Sequence, residues 1–455
     1  MGSLGKNLAF ILLLTIISPL ILQPVTTIST TSKNNSQRNW SMSGSDPCHD
    51  RVGTDSLTTN SVNIPEQIWQ SNLKWEKTPT EFQFRGRSLT EPIVVDGVVY
   101  VGASSSVTID RYHGQAWIDV YALNASNGLM IWDFRDDSSS SVTPPAVVNG
   151  AVFFATGNYI CSLNATDAST LWTIPGSGWI SYPVIVQNEL FIDSEGFLLA
   201  LNTTNGQKIW NYTSSRGFST PAVANGMVYV GSFDENIYGL NMSTGEKIWS
   251  YHSGDFHPEP AVADEIVYGI TSGANIYALN ARQGTKIWNY SIYDGWATDQ
   301  QPYFAISSGL LYARNGLNKI YAINALSGNK IWNKTFESST YHGISAPTAV
   351  NGIVYLGTDT GIYALKGNSG EVVWNYSTPS SFGPPVIVNG VLYATSNEQV
   401  HAIQIPSSTI EPNPESMIIE NVSVAVAVTV LILITVISAL LYRRHRKLLK
   451  TLTNK

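Results

Sequence analysis

The sequence predicts an all-β chain, an eight-bladed β-propeller closed by pairing of its N- and C-terminal segments, with a C-terminal transmembrane helix added. Three observations carry that prediction. A phrase of the form Leu-Asn-Ala-x-x-Gly-x-x-Ile-Trp recurs along the chain and ends at Trp75, Trp132, Trp172, Trp210, Trp249, Trp288, Trp332 and Trp374, and a period of about 40 residues made of short apolar runs marks a radial β-architecture. Turn pairs suited to two-residue hairpins separate alternating β-branched runs at Asp96-Gly97, Asn149-Gly150, Asn225-Gly226, Asn351-Gly352 and Asn389-Gly390, because both central residues of such a turn need φ > 0. The first copy holds only the end of the repeat and the last copy only its start, so together they make one blade.

In chain order, residues 1–31 carry an apolar run, Leu8 to Leu22, behind Lys6. This reads as a secretory signal peptide or, since no Ala-x-Ala site is present, as an uncleaved N-terminal anchor. A polar segment fills 32–64, and the propeller is expected over 65–405. Each copy supplies a hairpin, an Ile-Tyr-Ala-Leu-Asn strand and a fourth strand ending near the tryptophan. One such sheet cannot bury both faces alone, so neighbouring copies stack around an axis and the indoles fall between blades. At Asn188-Glu189 and Asp264-Glu265 the turn pair lacks its glycine, and longer or strained turns are expected there. The closing blade is expected to take its indole from Leu73-Lys-Trp75, leaving no free edge.

Beyond the ring, 406–420 forms a stalk and 421–442 a transmembrane helix whose residues Val422 to Tyr442 are apolar or small, long enough to cross a hydrocarbon core of about 30 Å. The basic run Arg443-Arg444-His445-Arg446-Lys447 opens the tail, 443–455. By the positive-inside rule the tail is cytoplasmic, the propeller extracellular and the protein single-pass in the cell membrane, with lipid as one partner.

The formal charge of −7 hides an asymmetry: residues 1–442 carry 20 basic and 33 acidic side chains, a net −13. An acidic exported body argues against nucleic acid as a partner. Eleven Asn-x-Ser/Thr sequons occur, and those within the propeller, at Asn124, Asn164, Asn202, Asn211, Asn241, Asn289, Asn333 and Asn375, are candidate N-glycosylation sites. Asn211, Asn289, Asn333 and Asn375 each directly follow a blade tryptophan. Only Cys48 and Cys161 are present, and a bridge between them is one of two open readings.

The phrase Ile-Tyr-Ala-Leu-Asn-Ala-x-x-Gly-x-x-Ile-Trp, as in Ile276 to Trp288 and Ile320 to Trp332, resembles the pyrroloquinoline quinone (PQQ) repeat of the quinoprotein alcohol dehydrogenase-like propellers. The resemblance spans the whole predicted ring. It implies the fold but leaves the activity open, because the family holds both PQQ- and calcium-dependent dehydrogenases and cofactor-free scaffolds such as the lipoprotein that assists outer-membrane assembly. The dehydrogenases use two adjacent cysteines over the quinone, a Glu/Asn/Asp calcium set and an Asp base. This chain has no Cys-Cys pair, so no catalytic, metal or cofactor residue is carried over.

The expectation is therefore a non-enzymatic scaffold or binding module for an extracellular protein or glycan. One alternative is a PQQ- and calcium-dependent dehydrogenase with a non-standard site, and another is a cell-surface solute-binding receptor. Ligand-binding candidates sit in the loops that lead from one blade to the next: Arg85, Arg87, Trp179, Arg216, Phe218, His257, Trp296, Tyr341 and His342. Each aromatic among them either stacks a ligand or packs over its own blade entrance. The stretch from Tyr100 to Tyr121 spans 21 positions against nine in the fourth copy. Its extra residues, among them Asp110, Arg111, Tyr112, His113 and Trp117, are the candidate partner loop.

Overall fold

The structure, a computed structural model, describes residues 66–72, 83–108, 114–176, 178, 180–254, 259–293, 303–315, 318–336, 343–396 and 399–406. The expectations for 1–31, 32–64, the stalk beyond Pro406, 421–442 and 443–455 lie outside these residues. Among the described residues there is no helix, hence none long and apolar enough to cross a membrane.

The described strands form eight antiparallel sheets. Blades 2 to 7 each use four consecutive strands, over 146–175, 184–213, 222–252, 259–291, 304–335 and 348–377. Blade 8 takes three strands from 386–404 and its fourth from the other end of the chain, Glu66–Asn72, which pairs with Gln399–Gln404. The ring is thus closed by both ends, which removes two sheet edges at once. The first strand of each blade is short and approaches its counterparts in adjacent blades, so these strands line the axis. On one rim lie the loops entering each blade. On the other, hairpin turns meet the Asn-containing turns between third and fourth strands, as where Met242 N donates to Gly226 O at 2.9 Å.

The hairpins behave as their residues dictate. Asn225 and Gly226 have φ of 53° and 76°. In blade 5 the glycine-free pair Asp264-Glu265 still makes a two-residue turn, Ala263 pairing with Ile266, at φ of 48° and 62°. That turn is strained rather than lengthened. In blade 3, Val186 pairs with Glu189, so the turn residues are Gln187-Asn188, one position earlier than expected.

The motif's tryptophan and glycine prove to be two halves of one inter-blade contact. Trp210 Nε1 donates to Met242 O of the next blade at 2.7 Å, and its indole covers Gly245, where an added Cβ would lie 2.5 Å from the ring. The same bond recurs from Trp132, Trp172, Trp249, Trp288 and Trp332. Trp374 Nε1 is buried without such a bond. In the closing blade this place belongs to Trp69, not Trp75: Trp69 Nε1 donates to Ala125 O at 2.7 Å and its ring covers Gly128. Trp75 lies outside the described residues. The reason is register, since Ile68-Trp69 sits on the closing strand in the place of the Ile-Trp of other blades.

Blade 2 breaks the pairing of indole with glycine, placing Ala168 at φ 59° in the corresponding turn. An L-residue in that region costs about 1–2 kcal/mol. Ala168→Gly is therefore expected to stabilise the protein by about 1 kcal/mol, read as a higher denaturation midpoint.

Blade 1 differs in construction. Its extra residues lengthen the central hairpin into strands Val98–Thr108 and Gly114–Asn124, and a further strand, Gln83–Leu89, pairs along Val98–Thr108. Residues 109–113, with Asp110, Arg111, Tyr112 and His113, lie outside the described set. Trp117 is buried within the extended sheet and so does not offer an exposed partner contact. The Arg135 guanidinium lies 5.6 Å from its ring centre and 2.8 Å from the fully buried Asp119. Cys161 carries a free, buried thiol inside blade 2, pushed up to about 12 by burial. Its candidate partner, Cys48, is outside the described residues.

Candidate functional site

Five blades are entered through a short loop held by the same latch. The hydroxyls of Thr90, Thr143, Ser181, Ser219 and Ser345 accept from the amides of Gly102, Ala155, Asp193, Gly231 and Gly357, twelve residues on, at 2.8–3.1 Å. The residue whose amide donates is the fifth after the hairpin turn. Around the ring it reads Gly102, Ala155, Asp193, Gly231, Ile270, Arg314, Gly357 and Thr395. Six blades place a small or uncharged residue under the loop. Blades 3 and 6 bury a charge-bearing one.

Arg314, 7% exposed, donates from Nη1 to Ile344 O, and its guanidinium stacks 5.1 Å over the Tyr303 ring. A planar cation on an aromatic face is a favourable arrangement. These two residues border a cavity of about 580 Å³ at the entry rim, where the loops of blades 1, 6, 7 and 8 converge. Ser345, Ser381, Ser396 and Glu91 add polar groups to the same wall. A concave site with a fixed cation and several hydroxyls can orient a ligand through directed hydrogen bonds.

Asp193, 1% exposed, accepts from the Phe218 amide, and burial pushes its carboxyl up to about 7. Its Oδ1 is buried without a hydrogen-bond partner. In blade 8, His401 is buried with a ring nitrogen 2.7 Å from Ser396 Oγ and its ring against Phe382, and burial lowers it to about 4.

The loop candidates do not converge on one described site. Phe218 is fully buried between Tyr212 and Tyr238, with ring centres 5.9 and 6.2 Å away, and pairs with Ser232. It is blade-entrance core, not a ligand platform, because a ring enclosed by two others has no free face. Arg216 is exposed beside it. Arg85 and Arg87 lie on strand Gln83–Leu89, Arg87 opposite Ser105 and Arg85 at a register shift. Trp179, His257, Trp296, Tyr341 and His342 are outside the described residues. The residues that sequence reasoning passed over are Arg314, Tyr303 and Asp193. Aligning the fifth position after each turn and asking where charge breaks the repeat would have found the first and last.

Among the described residues no three His, Cys, Asp or Glu side chains converge as metal ligands.

The family model described as outer membrane protein assembly factor BamB matches residues 66–178, 174–376 and 303–435. No curated protein matches the sequence significantly. The fold is similar to that of BamB from Moraxella catarrhalis, at 15% identity and TM-score 0.54, covering 75% of this chain and 98% of that one. It is also similar to the quinohemoprotein alcohol dehydrogenase from Comamonas testosteroni, at 14% identity and TM-score 0.62, covering 84% and 82%. A europium-containing methanol dehydrogenase gives 15% and 0.58, covering 78% and 88%. At such identities the likeness concerns the fold alone.

Proposed function

This chain belongs to the PQQ-repeat family described as outer membrane protein assembly factor BamB, and from that premise we propose that it is a membrane-anchored extracellular propeller acting as a non-enzymatic scaffold or binding module. The partner is a protein or glycan held at the entry rim. One observation carries the reading: where the repeat is broken by Arg314, the break faces a polar cavity shared by four blades. Residues that recur in every blade serve the ring, whereas a buried guanidinium at a position otherwise small or uncharged needs a separate reason, since burying a charge costs several kcal/mol. The dehydrogenase reading has no comparable observation behind it, and the described cysteine, Cys161, is enclosed in blade 2.

The test uses the full chain in intact cells with a photo-reactive residue at Ser381, on the entry rim, or at Thr244, on the other rim. Adducts are expected from Ser381 only, and Arg314→Gln should abolish them without lowering expression at the surface. Equal labelling from both rims would sink the proposal. So would stoichiometric uptake of quinone and calcium with dye-linked alcohol oxidation.

A further inference from the structure

The eight sequons of the ring fall into two structural classes, and only one class calls for an explanation beyond the fold. Asn124, Asn164, Asn202 and Asn241 sit in the turn between third and fourth strands. Their Oδ1 atoms accept from the amides two residues on, Ser126, Thr166, Thr204 and Ser243, at 2.8–2.9 Å. Asn280 and Asn324 do the same toward Arg282 and Leu326 at 3.0 and 3.1 Å, where no sequon exists. The turn alone therefore accounts for asparagine at this place.

Asn211, Asn289, Asn333 and Asn375 are different. Each lies exposed in the middle of the outermost strand of its blade: Lys208–Thr213, Lys286–Ser291, Lys330–Thr335 and Val372–Ser377. Asparagine is depleted in strands because its side chain competes for backbone hydrogen bonds. No turn explains it here, and blades 1, 2, 4 and 8 hold Asp133, Thr173, Ser250 and Gln70 at the same register. Residues i and i+2 of a strand share a face, which sets each asparagine beside its sequon hydroxyl. In blade 7, Asn375 Nδ2 donates to Ser377 Oγ at 2.6 Å. These strands are also terminal in their sheets, with one row of backbone groups unpaired.

We propose that Asn211, Asn289, Asn333 and Asn375 carry N-linked glycans that cap the outer edges of blades 3, 5, 6 and 7, while the turn asparagines serve the fold. The donor is an oligosaccharide on a polyprenyl diphosphate. Asparagine Nδ2 forms a bond to the anomeric carbon, the carbon–oxygen bond to phosphate breaks, the lipid diphosphate leaves with the electron pair, and the amide releases one proton. A hydrated glycan over an exposed strand edge blocks the addition of a strand from another chain. The consecutive edges of blades 8, 1 and 2 bear no sequon at this position and stay open. This inference rests on the extracellular placement proposed above.

The experiment is site-resolved mass spectrometry of the full chain from its native membranes, with enzymatic glycan release in heavy-oxygen water to mark occupied asparagines. Marks are expected at the four edge residues in most molecules and at few turn residues. Unmarked edge asparagines, or equal marking of both classes, would overturn the proposal. Replacing all four by Gln should leave the melting temperature in place yet raise the aggregation rate by at least about twofold, the edges being bare; an unchanged rate removes the capping role. Protease on intact cells separates the premises. A propeller protected from digestion defeats the extracellular placement, whereas a digested propeller with unmarked edges defeats the glycan assignment alone.

Discussion

Trp69→Ala is expected to cost about 3–5 kcal/mol, the range for truncating a buried aromatic that leaves a cavity. The indole is 8% exposed, lies 6.1 Å from the Tyr393 ring, donates to Ala125 O and covers Gly128. It therefore ties the closing strand of blade 8 to blade 1. Deleting the whole strand Glu66–Asn72 should cost more, because it also strips the partners from Gln399–Gln404 and leaves that strand as a bare edge. Thermal or denaturant unfolding of the full chain checks both changes. A comparable loss from Trp75→Ala, with Trp69→Ala near neutral, would return the closing role to Trp75.

The second large effect is a pair of opposed pH dependences. Asp193 is raised from 3.8 to about 7 by burial. Between those values the unfolded chain has released a proton that the folded protein keeps. The stability present below about pH 4 is then lost as pH rises through 7, to the extent of about 4 kcal/mol at 1.36 kcal/mol per unit. His401 is lowered from 6.5 to about 4, again by burial. Here the unfolded chain takes up a proton that the folded protein refuses, so stability present above pH 6.5 is lost as pH falls to 4, by about 3 kcal/mol. In the intact protein the two slopes oppose each other across one window. Asp193→Asn should uncover the histidine term: more stable than the parent at pH 8, similar at pH 4, with stability now rising as pH climbs from 4 to 6.5. Chemical denaturation at several pH values reads this directly. A parallel offset at every pH would show that the carboxyl does not titrate as its burial demands.

The ring was legible because repetition averages away local ambiguity. Asn225-Gly226 or Trp210 alone says little, but the same residues at the same spacing in successive copies leave one architecture. The closing strand was misread where repetition fails, since Trp69 and Trp75 compete for one role within seven positions and only pairing with Gln399–Gln404 decides between them. The candidate site was much less legible. Phe218 stood open between stacking a ligand and packing over its blade entrance, and only its burial decides for packing. Arg314 and Asp193 were hidden for another reason, since each occurs once and its meaning depends on the small residues that fill the same place elsewhere. The lengthened hairpin of blade 1 was visible as an insertion, but its count of residues could not distinguish a loop from extended strands.

The closing blade also ties completion of the ring to its last strand. Glu66 pairs with Gln404, 338 positions later. Loop entropy grows only as the logarithm of length, so joining partners that far apart costs about 3 kcal/mol more than closing a loop of a dozen residues. That is a modest thermodynamic burden, and the seam indole alone is worth as much. The kinetic burden is of another kind. During synthesis the first strand emerges long before its partner exists, and every earlier blade can stack while the seam stays open. A chain broken off anywhere before Gln399 is left with an unpaired first strand and an uncovered Trp69, the kind of surface that quality control recognises. Closure by the final strand thus works as a test of length, passed only by a polypeptide that extends through Gln404.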